Sequence, residues 1–286
     1  MRKFTLSQLR FVEHLKPKDI IGWPQGPGEP LALTEVLVAQ RAELEAPVLL
    51  FGLTQSGTLR PEIADHFGFH ALNGAGTSRR VTALADIFPG HVSAIPALLR
   101  SGQLRLDVAL IQVKPLPAGG FTLGVISDFT QAMIQQARLV VALLNPALPA
   151  MGGDAIVNSA DIDILVENDE RIIDMPDPEP SAVERTVARQ VAALIPDRAT
   201  VQLGVGTLPA AVAEALRDHQ QLGVHSGVEY NVSTLVAQCV HHQGESRRGL
   251  APAWVIEMVT GKGEAPVFQH SFKAPFGDRL SCQIFR

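Results

Sequence analysis

Apolar residues occur along the first 170 residues in short runs that alternate with segments of helical periodicity. The runs have the length of strands buried on both faces of a sheet, and they lie at 19–23, 48–53, 108–113, 139–144 and 163–167. Apolar residues at helical spacing predict helices at 5–16, 31–45, 95–100 and 129–138. This alternation of buried strands and helices predicts an α/β fold with a largely parallel sheet.

A segment rich in proline and acidic residues follows this first set of elements. Residues 173–182 contain three prolines and three acidic residues, a composition typical of a linker. We therefore expect a first α/β domain at 1–172 and a linker at 173–182.

The opening β-loop-α-β pattern recurs after the linker. Ser181 is predicted to cap a helix that ends at Leu194, and the next elements are a strand at 199–203, a helix at 210–217 and a strand at 222–226. The loops at 23–30 and 202–209 both place glycine-X-glycine and then proline between a strand and a helix. The recurrence predicts that 183–229 begins a second, related open α/β domain.

The last 57 residues, 230–286, differ in character from the rest. The only tyrosine, Tyr230, and both cysteines, Cys239 and Cys282, lie there, and the alternation of strands and helices fades except for a strand expected at 255–259. We expect the second domain to be incomplete, with 230–286 as an atypical tail. A reading-frame shift or truncated gene product and a divergent but genuine C-terminus both account for this change. An incomplete domain would expose an apolar sheet face, so association between copies of the chain is expected.

Composition and charge narrow the classes of function. The chain has 286 residues, of which 46% are hydrophobic and 19% charged, and its net charge of −5 gives no basic footprint for nucleic acid. No apolar run approaches the roughly 18 residues of a membrane span, and none follows the basic N-terminus as in a secretory signal. Two cysteines without metal-type spacing predict neither a disulfide framework nor a metal site. We expect a cytoplasmic protein with no membrane association.

Two glycine loops are candidate binding sites. The first contains Gly26, Gly28 and Pro30, and the second contains Gly204, Gly206, Thr207 and Pro209. Backbone N–H groups of such loops can bind phosphate or thioester oxygens, whereas the alternative is a tight βα turn that needs small residues. Neither loop fits Gly-X-Gly-X-X-Gly, and no Walker A lysine follows, which disfavours nicotinamide and nucleotide cofactors.

Other polar residues have ordinary structural interpretations. His225 and Ser226 end a predicted strand and Gly227 follows it, without the Gly-X-Ser-X-Gly elbow of a serine hydrolase. The pair His241-His242 is typical of a solvated surface. Asp128, Asp161 and Asp163 are expected to be helix caps or strand-end residues.

A family resemblance extends from about residue 17 to residue 228. It is carried by 106–113 with Pro115, 121–124, 128–130, 145–149, 153–154, 159–163, 178–181, 194–197, 202–209 and 222–226. In this order the segments resemble the acetyl-CoA hydrolase/transferase family, which includes 4-hydroxybutyrate and succinyl-CoA:acetate CoA-transferases. The length and order of these segments are more specific than any single motif.

The resemblance implies the class I CoA-transferase fold, with two open α/β domains, and a substrate pair of acyl-CoA and short-chain carboxylate. Coenzyme A would be a substrate, and no resident cofactor is implied. In this family a glutamate attacks acyl-CoA to give an acyl-glutamyl anhydride, which CoA thiolate converts to a glutamyl-CoA thioester. An acid acceptor or water then resolves the thioester. The loop with Gly204, Gly206 and Thr207 matches the family's oxyanion-binding loop.

The sequence departs from the family where the catalytic glutamate is expected. His225-Ser226 is followed by Gly227, and Glu229 is the candidate nucleophile two residues later. Such a shift moves a side chain by about 6–7 Å along a strand. Two hypotheses therefore stay open: an enzyme that uses Glu229, and an inactive homologue that at most binds acyl-CoA or a partner.

Overall fold

The structure of the chain, a computed structural model, describes residues 1–168, 179–204 and 206–224, together with four short strands beyond residue 227. These residues form two compact units. Unit 1 comprises Met1–Ala150 and Asp154–Asp174, and unit 2 comprises Met151–Gly153 and Met175–Arg286. The domain borders predicted at 172 and 182 stay predictions, and most of the predicted linker lies outside the described residues.

Unit 1 is built on one large sheet. Its strands are β1 (Arg2–Thr5), β2 (Ile20–Gly22), β3 (Val48–Phe51), β4 (Gly68–Ala71), β5 (Asp86–Ile87), β6 (Val108–Pro115), β7 (Phe121–Thr122), β8 (Leu139–Leu144), β9 (Ile156–Val157) and β10 (Ile164–Glu167). Its α-helices are α1 (Leu31–Ala39), α2 (Ile95–Arg100) and α3 (Thr130–Gln136). Eight strands pair in parallel in the order β1-β10-β8-β6-β2-β3-β4-β5, and β7 pairs antiparallel with β6 and β9. The α/β class with a largely parallel sheet is therefore confirmed.

The order of the strands reverses once, between β2 and β6. The chain adds β3, β4 and β5 on one side of β2, and then places β6, β8 and β10 on the other side. The loops that leave the carboxyl ends of β2 and β6 therefore run in opposite directions. In open parallel sheets, this is the place where ligands usually bind.

The central strands confirm the expectation drawn from the apolar runs. All six residues from Val108 to Val113 are buried, including Gln112, because helices and loops cover both faces of β6. The predicted bounds of β8 and α2 agree with the structure. Large side chains form the fully buried centre of the core, among them Phe11, Trp23, Leu33, Leu49 and Phe51.

The helix predicted at 5–16 is wrong. The structure has β1, then two 3-10 turns at Leu6–Gln8 and Phe11–Glu13. The side chain of Gln40 accepts a hydrogen bond from the Phe11 N–H at 2.8 Å and donates one to the Leu9 carbonyl at 2.7 Å. Because these two backbone groups bond to Gln40, they do not join a continuous helical ladder.

Unit 2 has a small core between two helices and a short sheet. Its elements are α4 (Ala182–Ala192), β11 (Thr200–Val201), α5 (Thr207–Ala215) and β12 (Gly223–Val224), followed by β13 (Val228–Tyr230), β14 (Glu257–Val259), β15 (Val267–Gln269) and β16 (Gln283–Phe285). β11 and β12 are parallel and flank α5 in the sequence, so the predicted β-loop-α-β pattern is present. Ser181 caps α4 as predicted, and the helix ends at Ala192, two residues before Leu194.

The expected strand at 255–259 is present as β14. It pairs antiparallel with β15, while β13 pairs in parallel with β16. Within the described residues, no helix has the length and apolar character that a transmembrane span requires.

Candidate functional site

The glycine loop after β2 is a compact turn at the point where the strand order reverses. Gly26–Gly28 form a 3-10 turn, and Gly26 has a φ of +51°, which favours glycine. The Gly26 N–H donates to the Leu53 carbonyl at 2.7 Å, and the Gly28 N–H donates to the Gln25 carbonyl at 3.0 Å. The backbone N–H groups of Gly26 and Gly28 therefore both donate to carbonyl groups of the protein itself.

Gly28 is required by close packing. A Cβ at this position would lie 2.8 Å from the Pro24 Cβ and 2.9 Å from the Ile126 Cβ, closer than side chains pack. Pro30 follows as the N-cap of α1. These contacts are those of a tight βα turn, and a binding role for Gly26, Gly28 and Pro30 stays a prediction.

Gln25 connects the ends of three neighbouring elements. Its Oε1 accepts hydrogen bonds from the Leu53 N–H and from the Asn73 Nδ2, each at 3.0 Å. Its backbone N–H and its Nε2 both donate to Oδ2 of Asp128 at 3.4 Å. The side chain thus joins the loops after β2, β3 and β4 to the turn before α3.

Asp128 occupies the turn that starts α3. Its Oδ1 accepts from the Thr130 N–H at 3.1 Å and from the Thr130 hydroxyl at 2.7 Å. The N-cap of α3 is Phe129, so Asp128 lies one residue before the cap. Burial raises the pKa of the Asp128 carboxyl, although the hydrogen bonds from Thr130 and Gln25 act in the opposite direction. The sequence alone did not predict its contacts with Gln25, because residues 25 and 128 are distant in the chain.

A buried group of polar side chains surrounds Glu29, which directly follows the glycine turn Gly26–Gly28. Glu29 is only 1% exposed, and its Oε1 accepts from the Ser56 hydroxyl at 2.8 Å and the Thr34 hydroxyl at 3.0 Å. The hydroxyls of Thr34 and Thr58 also lie 3.1 Å apart. Glu29 was missed as a site residue, because an acidic residue beside Gly28 and Pro30 resembles an ordinary turn residue.

Side-chain amides also lie at the place where the strand order reverses, between β2 and β6. Gln112 on β6 donates from Nε2 to the Pro27 carbonyl of the glycine loop. Asn145, which follows β8, donates from Nδ2 to Oε1 of Gln112 at 2.9 Å. The carboxyl edge of the sheet in unit 1 is therefore lined by polar groups that hydrogen bond across loops.

The second glycine loop leads into α5. Gly206 is the N-cap with a φ of +128°, so the conformation calls for glycine even though a Cβ would meet only Pro209 Cδ, at 3.9 Å. Gly204 lies exposed before it, and Pro209 is the third residue of the helix. Pro30 instead precedes α1, so the two loops differ in where their helices begin.

Thr207 is tied to α4 through a glutamate. Its hydroxyl donates to Oε1 of Glu184, while Oε2 of Glu184 accepts from the Ser181 N–H at 2.7 Å. The hydrogen bond from Thr207, followed by those from Ser181, lowers the pKa of Glu184.

Most of the predicted residues around the nucleophile position lie outside the described part of the chain. His225, Ser226 and Gly227 lie outside the described residues, as does the pair His241-His242. Glu229 is the middle residue of β13. A catalytic role for Glu229, and binding roles for Gly204, Gly206, Thr207 and Pro209, stay predictions.

Comparison with known proteins tests the family resemblance. Residues 2–176 match the sequence model of the acetyl-CoA hydrolase/transferase N-terminal domain. The chain is 33% identical over 205 residues to a 4-hydroxybutyrate coenzyme A transferase of Clostridium kluyveri, covering 70% of this chain and 48% of that protein. It is 30% identical over 233 residues to a succinyl-CoA:cyclohexane-1-carboxylate CoA transferase of Geobacter metallireducens, covering 79% of this chain and 52% of that protein. The chain thus spans about half the length of these curated relatives.

Solved structures agree on the fold. A 4-hydroxybutyrate CoA-transferase from Porphyromonas gingivalis superposes with a TM-score of 0.69 at 28% identity, covering 82% of this chain and 56% of that one. RipA from Yersinia pestis superposes with a TM-score of 0.75 at 22% identity, covering 84% of this chain and 59% of that one, which supports the fold alone. The resemblance predicted from the sequence is confirmed, and the chain belongs to the acetyl-CoA hydrolase/transferase family.

Proposed function

We propose that this chain takes part in moving coenzyme A between short-chain carboxylates, as an acyl-CoA hydrolase or CoA-transferase. The observation that carries the proposal is the match of residues 2–176 to the family's N-terminal domain, together with relatives named for CoA transfer to or from 4-hydroxybutyrate, succinate and acetate. The substrates are an acyl-CoA and a short-chain acid, and CoA acts as a substrate with no resident cofactor. We place this reaction in the cytoplasm and expect copies of the chain to associate.

The proposed reaction forms and breaks acyl bonds at a carboxylate. The Glu229 carboxylate attacks the thioester carbonyl, and CoA leaves as a thiolate, giving an acyl-glutamyl anhydride. The thiolate then attacks the glutamyl carbonyl and releases the first carboxylic acid. A second carboxylate then attacks the glutamyl thioester carbonyl and displaces CoA thiolate, which gives a new acyl-glutamyl anhydride. The thiolate attacks the acyl carbonyl of this anhydride, releases the new acyl-CoA and restores the Glu229 carboxylate. If water attacks the thioester instead, free CoA and the Glu229 carboxylate are formed.

The loop before α5 supports stabilisation of the oxyanion in these steps. The backbone N–H groups of Thr207 and Leu208 lie in the first turn of α5, where helix N–H groups have no partner within the helix. Such donors stabilise the negative charge that develops on a carbonyl oxygen under attack. Gly206 provides the conformation that starts this turn.

A second candidate function rests on Gly227. Glycine stands where the family's glutamate is expected, and Glu229 lies two residues further on. A side chain displaced by about 6–7 Å would not reach a substrate placed for the usual position. In this alternative the chain is an inactive homologue that binds acyl-CoA or a partner.

Trapping of the intermediate tests both functions. Purified chain is incubated with acetyl-CoA and butyrate, butyryl-CoA is measured, and borohydride is added to reduce any glutamyl thioester. We expect butyryl-CoA and a reduced adduct on the peptide with Glu229, both lost in Glu229→Gln and kept in Glu62→Gln, a change at an exposed glutamate of unit 1. Release of free CoA without butyryl-CoA and without an adduct would indicate direct hydrolysis, and no turnover by a folded chain that binds CoA would support the inactive homologue.

A further inference from the structure

We propose that the side-chain amides of Gln25 and Asn73 form a paired-donor subsite for the carboxylate of a short-chain acid, with Gly52 as a positioning residue. The chemical class of this ligand rests on the proposed function. The subsite lies within unit 1, at the carboxyl ends of three neighbouring strands. Gln25 follows β2, Gly52 follows β3 and Asn73 follows β4.

Each of the two side-chain amides has one N–H group left over after its hydrogen bonds within the protein are counted. A side-chain amide carries two N–H groups. Gln25 Nε2 donates one to Asp128, and Asn73 Nδ2 donates one to Oε1 of Gln25. Within the part of the chain that the structure describes, neither amide makes a further donation. Both side chains are half-buried, so a small solute can reach them.

The two remaining donors suit a carboxylate. The amides lie side by side, since Asn73 Nδ2 is 3.0 Å from Gln25 Oε1, and a carboxylate has two oxygens that can accept one hydrogen bond from each. Hydrogen bonds to an ionised acceptor are stronger than neutral ones. Donors that carry no net charge bind a carboxylate reversibly, as a substrate or product that must leave requires.

The surroundings of Gln25 favour donation by its amide. Its Oε1 accepts two hydrogen bonds, from Leu53 and Asn73, and such acceptance polarises the amide and strengthens its N–H groups as donors. Asp128 is the neighbouring carboxyl. Burial raises its pKa, so it ionises less readily than an exposed aspartate and repels an anionic ligand less.

Gly52 leaves the space that Gln25 occupies. A Cβ at position 52 would lie 2.4 Å from Oε1 of Gln25 and 2.8 Å from its Cδ. The group that must yield is the end of a flexible side chain, so alanine at 52 is expected to displace Gln25 while the strands stay in place. Gly52 therefore acts on the ligand through Gln25.

Gly57 provides a matched control for Gly52. It lies in the same unit, and a Cβ there would meet nothing within 4 Å. Gly57→Ala adds the same methyl group without touching the amide pair.

Titration of the full-length chain with sodium butyrate tests the subsite, with butyramide as the uncharged comparison and binding followed by calorimetry. We expect butyrate to bind in preference to butyramide, and Gln25→Leu, Asn73→Leu and Gly52→Ala each to weaken butyrate binding about tenfold, the effect of one lost charge-assisted hydrogen bond. Gly57→Ala should bind as the parent does. Cooperative thermal unfolding of each variant shows that it is folded.

A double substitution separates positioning from general damage. If Gly52 acts through Gln25, adding Gly52→Ala to Gln25→Leu should leave the butyrate affinity of the single variant unchanged. Unchanged affinity in Gln25→Leu, a further loss in the double variant, or a folded parent that binds no butyrate would each overturn the inference.

Assay of CoA transfer in the same variants separates this inference from the proposed function. Butyrate binding that depends on Gln25 in a chain without turnover would keep the subsite and refute the catalytic proposal. Turnover with the same KM for butyrate in the parent and in Gln25→Leu would refute the subsite and keep the catalytic proposal.

Discussion

The hydroxyl of Thr207, the first residue of α5, donates a hydrogen bond to the carboxylate of Glu184 in the first turn of α4. The same carboxylate accepts from the backbone N–H and the hydroxyl of Ser181, both at 2.7 Å. One half-buried glutamate therefore joins the starts of both helices of unit 2. These hydrogen bonds favour the ionised form, and the pKa of Glu184 lies below its ordinary value.

This arrangement predicts a dependence of stability on pH. A carboxyl whose pKa is lowered by folding stabilises the folded state at pH values above its ordinary pKa, and this contribution is lost as the pH falls through the lowered value. Thr207→Val removes the largest cause of the shift, so its thermal unfolding temperature should lie below that of the parent at pH 7. The difference should shrink in acid, where Glu184 is protonated in both proteins.

Carboxyl NMR titration provides the direct measurement for this pair. The pKa of Glu184 should rise in Thr207→Val and stay unchanged in Thr186→Val, since the Thr186 hydroxyl donates to the Ala182 carbonyl instead. An equal stability loss at every pH would show that the hydroxyl contributes through packing and not through the carboxylate.

Two ion pairs in unit 1 differ in burial, so replacing the arginine of each pair should lower the free energy of unfolding by different amounts. Arg138 donates to Asp19, which is 2% exposed, whereas Arg105 pairs with Asp107 while 60% of its own side chain is exposed. Arg138→Met leaves Asp19 buried without its cation and should lower the free energy of unfolding by about 3 kcal/mol. Arg105→Met should cost about 0–1 kcal/mol. Denaturant unfolding measures both, and equal losses would contradict the assigned role of burial.

The close packing around Gly28 predicts that a larger residue there lowers the stability of unit 1. A Cβ there would lie within 3 Å of Pro24 and Ile126, so Gly28→Ala should destabilise unit 1 by about 1–3 kcal/mol through overpacking. Gly57→Ala enters open space and should be neutral or stabilise by about 0.4–1 kcal/mol, since alanine restricts the unfolded chain. Urea unfolding of the two variants measures the difference, and a neutral Gly28→Ala would show that the loop can open.

The central strands could be predicted because their sequence signal is local. Val108 to Val113 and Leu139 to Leu144 are apolar runs whose burial follows from their composition, and Ser181 with Glu184 is a capping box visible in four residues. Short edge elements such as β5 and β9 have two residues each and no such signal. Their positions depend on the strands beside them.

The polar groups of the candidate site could not be predicted in the same way. The contact between Gln25 and Asp128 joins residues 103 positions apart, and that between Gln112 and Pro27 spans 85. Only the sheet order, with β2 beside β6, brings these loops together. The glycine motif predicted a turn after β2, but the side chains around this turn are determined by topology.

The same kind of long-range contact explains the N-terminal segment and predicts its response to substitution. The amide of Gln40 bonds to Leu9 and Phe11, 31 and 29 positions away, and these bonds replace helical ones. Gln40→Leu leaves a backbone N–H and a carbonyl without their partner in a part-buried region, so it should cost about 2 kcal/mol and speed hydrogen exchange at the Phe11 amide. Gln8→Leu removes an exposed hydrogen bond to Thr5 and should have little effect on either measurement. Slower hydrogen exchange at residues 6–14 in Gln40→Leu would contradict this prediction. It would show that the segment forms the helix its apolar periodicity predicts once the hydrogen bonds to Gln40 are removed.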